Sequence, residues 1–123
     1  MAKDIYIGEV FRNEEIQQDH FLMKIKLPGE FENPLPGQFV MVRIAGLTDP
    51  FLSRPVSVYS FARSKSHCMM DLLYRVVGKG TQIMAGLING SQVEISGPLG
   101  GSYTIDPARK KIVLIAGGIG VAP

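Results

Sequence analysis

The amino-acid sequence predicts an all-β fold, an antiparallel six-stranded barrel that carries one short helix. Six short runs are rich in β-branched and aromatic residues, and clusters of glycine, proline, asparagine and serine separate them. A single further stretch has the apolar spacing of a helix. About six strands at this spacing are typical of an antiparallel barrel, so the fold prediction follows from these observations.

The six strands are predicted, in order, at 5–10, 21–27, 38–44, 56–61, 69–77 and 92–96. In the second strand the apolar positions 21, 23, 25 and 27 alternate with Lys24 and Lys26, which is typical of a strand with one buried face and one face in water. The third strand is apolar on both faces except at Arg43, which predicts a central place in the sheet. A turn is predicted at 46–50, between the third and fourth strands.

The helical stretch is "GTQIMAGLINGS", residues 80–91. Thr81 occupies the position expected of an N-cap, and residues 89–90, Asn-Gly, can end the helix. Gly78 and Gly80 precede it, and glycine lets the backbone approach a ligand closely. These residues alone allow either an anion-binding turn or an ordinary turn, and the ordinary turn is the simpler interpretation. The apolar face of the helix is predicted to consist of Ile83, Met84, Leu87 and Ile88.

Composition excludes several classes of function. The chain has 123 residues, 46% of them hydrophobic and 20% charged, which is the profile of a soluble globular domain. Its formal charge of +2 favours neither a nucleic-acid nor a membrane surface, and no apolar run approaches the roughly 20 residues of a membrane span. Cys68 is the only cysteine, which excludes disulfides and cysteine-ligated clusters within the chain and predicts a reducing, cytoplasmic location. His20 and His67 lack further ligands at metal-binding spacing, and no Ser-His-acid arrangement suggests hydrolysis.

The segment "SRPVSVYSF", residues 53–61, combines a cation with a hydroxyl at the start of a strand. Pro55 keeps Arg54 in an extended conformation, and the planar guanidinium of Arg54 suits a phosphate group. Ser57 adds a hydroxyl that can donate or accept a hydrogen bond. Taken alone, the pattern is explained more simply by a surface ion pair of Arg54.

The last eleven residues, "VLIAGGIGVAP", have the pattern of a buried parallel strand that leads into a phosphate-binding turn. The apolar run at 113–116 feeds into Gly117, Gly118 and Gly120. A helix with its N-terminus towards an anionic ligand is the expected continuation of such a unit.

Four segments in this order and spacing, "RPVS", "LLYRVVGKGT", "VEISGPLGG" and "VLIAGGIGVAP", resemble the ferredoxin-reductase-like flavoproteins. That family joins an antiparallel FAD-binding barrel to an NAD(P)-binding α/β domain. Within it, the R-P-x-S form and the Y-R-V-x-G-x-G-T segment are most similar to the electron transfer subunits of type B dihydroorotate dehydrogenases.

The resemblance implies a Greek-key FAD-binding barrel over residues 1–107, followed at 108–123 by the first strand and glycine turn of a truncated NAD-binding domain. Complete family members continue through that domain to a four-cysteine [2Fe–2S] segment. The sequence is therefore expected to be a cut or partial chain, inactive as an oxidoreductase by itself. An unpaired strand at 112–115 is expected either to be disordered or to let two copies dimerise.

The resemblance also implies a set of cofactor-binding residues, with no catalytic residue and no metal ligand among them. These are Arg54, Pro55, Val56, Ser57, Leu73, Tyr74, Arg75, Gly80, Thr81, Gly118 and Gly120.

Their roles follow from the family's motifs. By this resemblance, the arginine at 54 would contact the FAD phosphates or ribityl, positions 55–56 would shape the wall beside the ring, and the serine at 57 would lie near the flavin's reactive edge. Positions 73–75 would line the cofactor from a second strand, and the turn at 80–81 would hold the pyrophosphate with its backbone and hydroxyl. The glycines at 118 and 120 would begin the NAD pyrophosphate turn. Val56 stands where plant-type members carry an aromatic residue over the ring, so Tyr59 or Tyr74 is expected to cover the flavin in part.

The function implied by the resemblance is electron transfer between NAD and a catalytic dehydrogenase subunit through FAD and a [2Fe–2S] centre. For dihydroorotate dehydrogenase, in pyrimidine biosynthesis, electrons would flow from dihydroorotate in the partner subunit to NAD. A related NAD(P)H–ferredoxin or hydrogenase complex is an alternative that these residues do not exclude. A non-redox barrel that reads single-stranded nucleic acid is a third alternative, disfavoured because such a site needs aromatic platforms in a basic groove.

Overall fold

The computed structural model describes residues 5–46, 53–103 and 106–123, and six antiparallel strands form a closed barrel in it. The strand order around the barrel is β1-β2-β5-β4-β3-β6. The predicted six-stranded barrel with one short helix is thus confirmed, while the turn predicted at 46–50 lies outside the described residues except for its first position. The elements are β1 (Ile5–Gln17), β2 (His20–Pro28), β3 (Phe39–Ile44), β4 (Arg54–Arg63), β5 (His67–Arg75), α1 (Lys79–Ala85) and β6 (Gln92–Leu99).

Strand β1 is longer than the sequence predicted, because it continues past position 10 to Gln17. A β-bulge between Val10 and Arg12 shifts its register against β2, after which the pairing resumes and runs to Gln17 opposite His20. The bulge breaks the alternation of apolar and polar residues, so the second half of the strand has no period-2 signal in the sequence.

The interior of the barrel is filled by alternate side chains of all six strands, and its two ends are closed by different means. Phe31, in the connection after β2, is completely buried and contacts Tyr6 and Phe61, with ring centroids 5.0 and 6.0 Å away. Met84 of α1 is buried at the opposite end, beyond the last residues of β5. The core is therefore continuous from Phe31 to Met84.

Arg63, at the end of β4, fixes the connection that contains Phe31. Its guanidinium donates hydrogen bonds to the side-chain oxygen of Asn33, at 2.8 Å, and to the backbone oxygens of Gly29 and Phe31. The guanidinium also lies 5.6 Å from the centre of the Phe61 ring. Arg63 thereby holds the Phe31 ring in the end of the barrel.

Both ends of helix α1 differ from those of the predicted helix. It begins at Lys79 with Gly78 as N-cap, so Thr81 is the third residue of the helix and not its N-cap. The helix ends at Ala85 with Gly86 as C-cap, before the predicted end at 89–90. The difference at the start arises because the Thr81 hydroxyl accepts hydrogen bonds from backbone N–H groups that precede the helix.

The C-terminal residues differ from the predicted parallel strand. Residues 111–117 form neither a helix nor a strand, and a one-turn 3₁₀ helix follows at Gly118–Val121. Val113, Leu114 and Ile115 are 82%, 90% and 93% exposed. A parallel strand is defined by hydrogen bonds to neighbouring strands, and within the described residues every strand is already part of the closed barrel. No helix in the described part of the chain is long and apolar enough to cross a membrane.

Candidate functional site

A cleft opens where two neighbouring strands separate. The ladder between β4 and β5 runs from Arg63 opposite Cys68 to Val58 opposite Leu72, and it stops there. The first residues of β4 continue along β3, up to Arg54 opposite Val42. The last residues of β5 continue along β2 instead. The two strands therefore diverge at one end of the barrel, on the side where α1 follows β5.

The cleft has a volume of about 450 Å³, and it brings together residues that lie far apart in the sequence. Nine of the eleven residues predicted from the resemblance line it: Arg54, Pro55, Val56, Ser57, Leu73, Tyr74, Arg75, Thr81 and Gly120. Val77, Ile119, Ala122 and Pro123 complete the lining. Of the other two predicted residues, Gly118 lines an adjoining cavity of about 560 Å³, together with Leu73 and Arg75. Gly80 lies behind Arg54, against its guanidinium.

The backbone of β4 directs polar groups towards the cleft. The Val58 N–H donates to the Gln38 oxygen at 3.2 Å, which fixes the alternation of hydrogen bonds between β3 and β4. By that alternation the backbone N–H and C=O of Ser57 face away from β3, on the side where β5 has separated. Pro55 occupies the same kind of position, where its missing N–H removes no bond to β3. Ser57 therefore presents a backbone N–H as well as its hydroxyl on the cleft side.

The guanidinium of Arg54 packs directly on Gly80 at the start of α1. A Cβ atom added at position 80 would lie 3.0 Å from Nε and 3.2 Å from Cζ of Arg54, distances at which the guanidinium would have to move. Arg54 also donates a hydrogen bond from Nη1 to the Ser53 oxygen at 3.0 Å. Glycine permits this close approach of the cation and the helix start, because a Cβ would require the guanidinium to give way by a few tenths of an ångström. The contact fixes a positive charge at the wall of the cleft.

The hydroxyl of Thr81 organises the turn that leads into α1. Its Oγ1 accepts hydrogen bonds from the N–H groups of Val77 and Gly78, at 2.9 and 3.1 Å, and donates one to the Gly78 oxygen at 3.1 Å. A hydroxyl has two acceptor positions and one donor, so these bonds use its full capacity. Thr81 thus shapes the wall of the cleft by holding the turn in place.

Tyr74 forms the inner wall of the cleft and is 3% exposed. Its hydroxyl donates to the side-chain oxygen of Asn13 at 2.9 Å, and its ring stacks on Phe21 with centroids 5.6 Å apart. Burial raises the pKa of the Tyr74 phenol well above its ordinary value, while the hydrogen bond with Asn13 acts in the opposite direction. The phenol therefore remains a protonated donor. Tyr59, by contrast, is 46% exposed and does not line the cleft.

Asn13 is a residue of this region that the sequence analysis did not identify. It lies in the polar second half of β1, where its side chain looks like one of several exposed polar groups. In the structure its amide contacts both Tyr74 and the carbonyl groups at the end of α1. No local sequence signal reports these contacts, because they join positions more than sixty residues apart.

The chemistry of the cleft suits an anionic ligand that also has an apolar part. Val56, Leu73 and Val77 contribute apolar lining, and Arg54 and Arg75 contribute positive charge. A guanidinium matches the geometry of phosphate oxygens, while apolar side chains and backbone donors suit a heteroaromatic ring. In the described part of the chain, no group of three or more His, Cys, Asp or Glu side chains could hold a metal ion.

Comparison with known families and sequences agrees with this chemistry. A sequence profile described as "Oxidoreductase FAD-binding domain" matches residues 8–103. Among curated proteins, "Dihydroorotate dehydrogenase B (NAD(+)), electron transfer subunit" of Clostridium acetobutylicum is 40% identical over 123 residues, which are all of this chain and 47% of that protein. The protein with the same description from Desulforamulus reducens is 41% identical over 103 residues, 84% of this chain and 38% of that one. The chain therefore spans about half the length of these relatives, or less.

Solved structures show the same fold at low sequence identity. A "Ferredoxin reductase in carbazole 1,9a-dioxygenase" superposes with a TM-score of 0.76 and 21% identity, covering 99% of this chain and 37% of the other. The cytochrome b5 reductase domain of Ulva prolifera nitrate reductase superposes with a TM-score of 0.59 and 22% identity, covering 80% of this chain and 42% of the other.

Proposed function

This chain belongs to the oxidoreductase FAD-binding domain family, and from that premise we propose that the cleft between β4 and β5 holds FAD for an electron transfer subunit. The observation that carries the proposal is the contact of Arg54 with Gly80 beside an apolar wall. The contact supports the proposal because Arg54, a side chain suited to phosphate, lies against the start of α1 within the segment that the family profile matches.

The residues of the cleft fit FAD at both of its chemically distinct parts. Arg54 would hold the phosphates or ribityl, with the turn at Gly80 and Thr81 shaping the backbone around the pyrophosphate. Pro55 and Val56 would form the wall beside the ring system. The absence of a Cβ at Gly80 supports this assignment, since it lets the guanidinium lie directly against the start of α1.

Two further groups of residues complete the proposed site. Ser57 would donate a hydrogen bond near the reactive edge of the flavin, and Leu73, Tyr74 and Arg75 would line the cofactor from β5. The turn with Gly118 and Gly120 would face the NAD pyrophosphate, which fits its place next to the cleft and the adjoining cavity. When bound, FAD supplies the redox chemistry, exchanging electrons in pairs or singly, while the protein provides binding and orientation.

We propose, in addition, that the complete protein passes electrons between NAD and a catalytic dehydrogenase subunit through FAD and a [2Fe–2S] centre. The names of the curated relatives support a dihydroorotate dehydrogenase as that partner. A cytoplasmic location belongs to this proposal, because the buried free thiol of Cys68 suits a reducing compartment.

The division of the chain into a FAD-binding part, 1–107, and the start of an NAD-binding part, 108–123, is also a proposal. Its support is that all six strands precede position 100 and that the family profile ends at 103. Pairing of two copies through 112–115 is a further part of the proposal, since three apolar side chains there are largely exposed.

A flavin titration tests the proposed function. FAD added to the purified chain should bind saturably at one site per chain, with a change in the visible absorption of the flavin. FMN keeps one phosphate but lacks the second phosphate and the adenosine, so it should bind at least about tenfold more weakly than FAD. If neither flavin binds saturably, the proposed function is wrong. If FMN binds as tightly as FAD, the pyrophosphate role proposed for the turn at Gly80 and Thr81 is wrong.

A further inference from the structure

We infer that Asn13 is a positioning residue for the cofactor cleft, acting through Tyr74 and α1 without contacting the ligand itself. This inference rests on the proposed function, because it assigns Asn13 a role in FAD binding. Asn13 does not line the cleft, whereas Tyr74 and Thr81 of α1 do. Its side chain, on β1, forms hydrogen bonds both with Tyr74 of β5 and with backbone carbonyl groups at and just after the end of α1.

The β-bulge in β1 is what directs Asn13 to this point. Before the bulge, Val10 faces the core opposite Ile25. With an uninterrupted alternation, position 12 would face inwards next and position 13 would face outwards. The register shift between Val10 and Arg12 instead places Asn13 opposite Met23, whose side chain is completely buried. A bulge that reorients one side chain beside a functional site is a common use of this irregularity.

The hydrogen bonds of Asn13 require an amide at this position. Its Oδ1 accepts from the Tyr74 hydroxyl at 2.9 Å, and its Nδ2 donates to the backbone oxygens of Met84 and Leu87 at 2.9 and 3.0 Å. The carbonyl groups can only accept hydrogen bonds, so a carboxylate of the same shape would repel them. An alanine would remove this partner from the Tyr74 hydroxyl and from the carbonyl groups of Met84 and Leu87.

These bonds stabilise two parts of the cleft, helix α1 and the Tyr74 ring. At the end of α1, the element that carries Gly80 beneath Arg54, the Met84 carbonyl accepts from the Leu87 N–H at 3.1 Å, and Asn13 adds a second donor at 2.9 Å. On the other side, Asn13 holds the hydroxyl of Tyr74, whose ring forms the inner wall. Loss of Asn13 should therefore displace the phosphate-binding and ring-binding walls relative to each other.

Asn89 offers a matched control. Its Nδ2 donates to the backbone oxygen of Phe11, at 2.9 Å, so it also connects the segment after α1 to β1 through a side-chain amide. Asn89 contacts neither Tyr74 nor the carbonyl groups of α1 in the hydrogen bonds described here. Asn89→Ala thus removes one exposed bond between the segment after α1 and β1, whereas Asn13→Ala removes part-buried bonds that join the walls of the cleft.

The experiment measures FAD affinity, urea unfolding of the cofactor-free chain, and amide hydrogen exchange in α1 for both variants. We expect Asn13→Ala to weaken FAD binding about tenfold and to increase exchange in α1, and Asn89→Ala to change FAD affinity by less than about twofold. A folded Asn13→Ala chain that binds FAD like the parent would overturn the inference while leaving the proposed function intact. Failure of the parent itself to bind FAD would overturn both.

Tyr74→Phe keeps the inference testable if Asn13→Ala does not fold. It retains the ring and its stacking on Phe21 but removes the hydroxyl that Asn13 accepts from. We expect it to weaken FAD binding about threefold to tenfold. Where Asn13→Ala does fold, the effect of Tyr74→Phe should be much smaller in the double variant. Equal FAD affinity of Tyr74→Phe and the parent would contradict the role assigned to the Asn13–Tyr74 bond.

Discussion

Arg54→Ala is expected to lower the affinity for FAD by about ten- to a hundredfold, because a charge-assisted contact to phosphate contributes roughly 1.5–3 kcal/mol. The contact with Gly80 already holds the guanidinium beside the turn, so little ordering remains to be done on binding. The measurement is a fluorescence or absorbance titration with FAD on parent and variant at the same ionic strength. Arg54→Lys keeps the charge and loses the planar guanidinium, so its affinity for FAD should lie between those of the parent and Arg54→Ala.

Two further variants serve as a control and as a second test of the Arg54 contact. Arg12→Ala is a suitable control, because Arg12 is exposed and forms an ion pair with Glu14, at 3.3 Å, outside the residues that line the cleft. Its FAD affinity should match that of the parent. Gly80→Ala keeps Arg54 but requires its guanidinium to shift by a few tenths of an ångström, so it should weaken FAD binding by less than Arg54→Ala does. If Arg54→Ala binds FAD as tightly as Arg12→Ala, Arg54 is not a phosphate ligand.

Phe31→Ala is expected to lower the free energy of unfolding by about 3–5 kcal/mol, the range for an aromatic side chain removed from a core. Phe31 is completely buried, closes one end of the barrel and packs against two other aromatic rings. Its removal would leave a cavity that the Arg63-bound connection is too constrained to fill. Urea or thermal unfolding of the full chain, followed by circular dichroism, measures the change.

Phe11 provides the comparison, since it lies on the bulge of β1 and is 48% exposed. Phe11→Ala should change the free energy of unfolding by less than about 1 kcal/mol. Similar destabilisation by the two substitutions would mean that Phe31 does not close the barrel in the way described.

The strands were predictable because their side chains alternate between core and surface, a signal that lies within a few neighbouring residues. The pattern at 21–27, for example, corresponds to β2 with its buried Met23, Ile25 and Leu27. The same reasoning ended β1 too early, because the bulge reverses the alternation after Val10. The same reasoning also predicted a strand at 112–115, where the structure has none. The apolar composition of this segment is typical of a buried strand, but a strand also needs neighbouring strands to pair with, and a local sequence pattern does not report them.

The candidate site was predictable as a set of motifs but not as an arrangement. The residues at 54–57 and 73–75 were grouped by resemblance, and the structure places them on two walls of one cleft. The contact of Arg54 with Gly80 joins two of those motifs across the fold, which a sequence pattern does not report. Thr81 was assigned to the N-cap because threonine is common there, yet its hydroxyl bonds to the preceding turn from the third helical position.

The central claim, that FAD binds in the cleft where β4 and β5 separate, is tested most directly by mapping backbone amide chemical shifts during a titration with FAD. The account predicts saturable shifts at Ser57, Leu73 and Gly80, around the cleft, and unchanged shifts at Gly29 and Phe31, at the opposite end of the barrel. Saturable shifts confined to the Phe31 end, or no saturable shift at any of these amides, would contradict it.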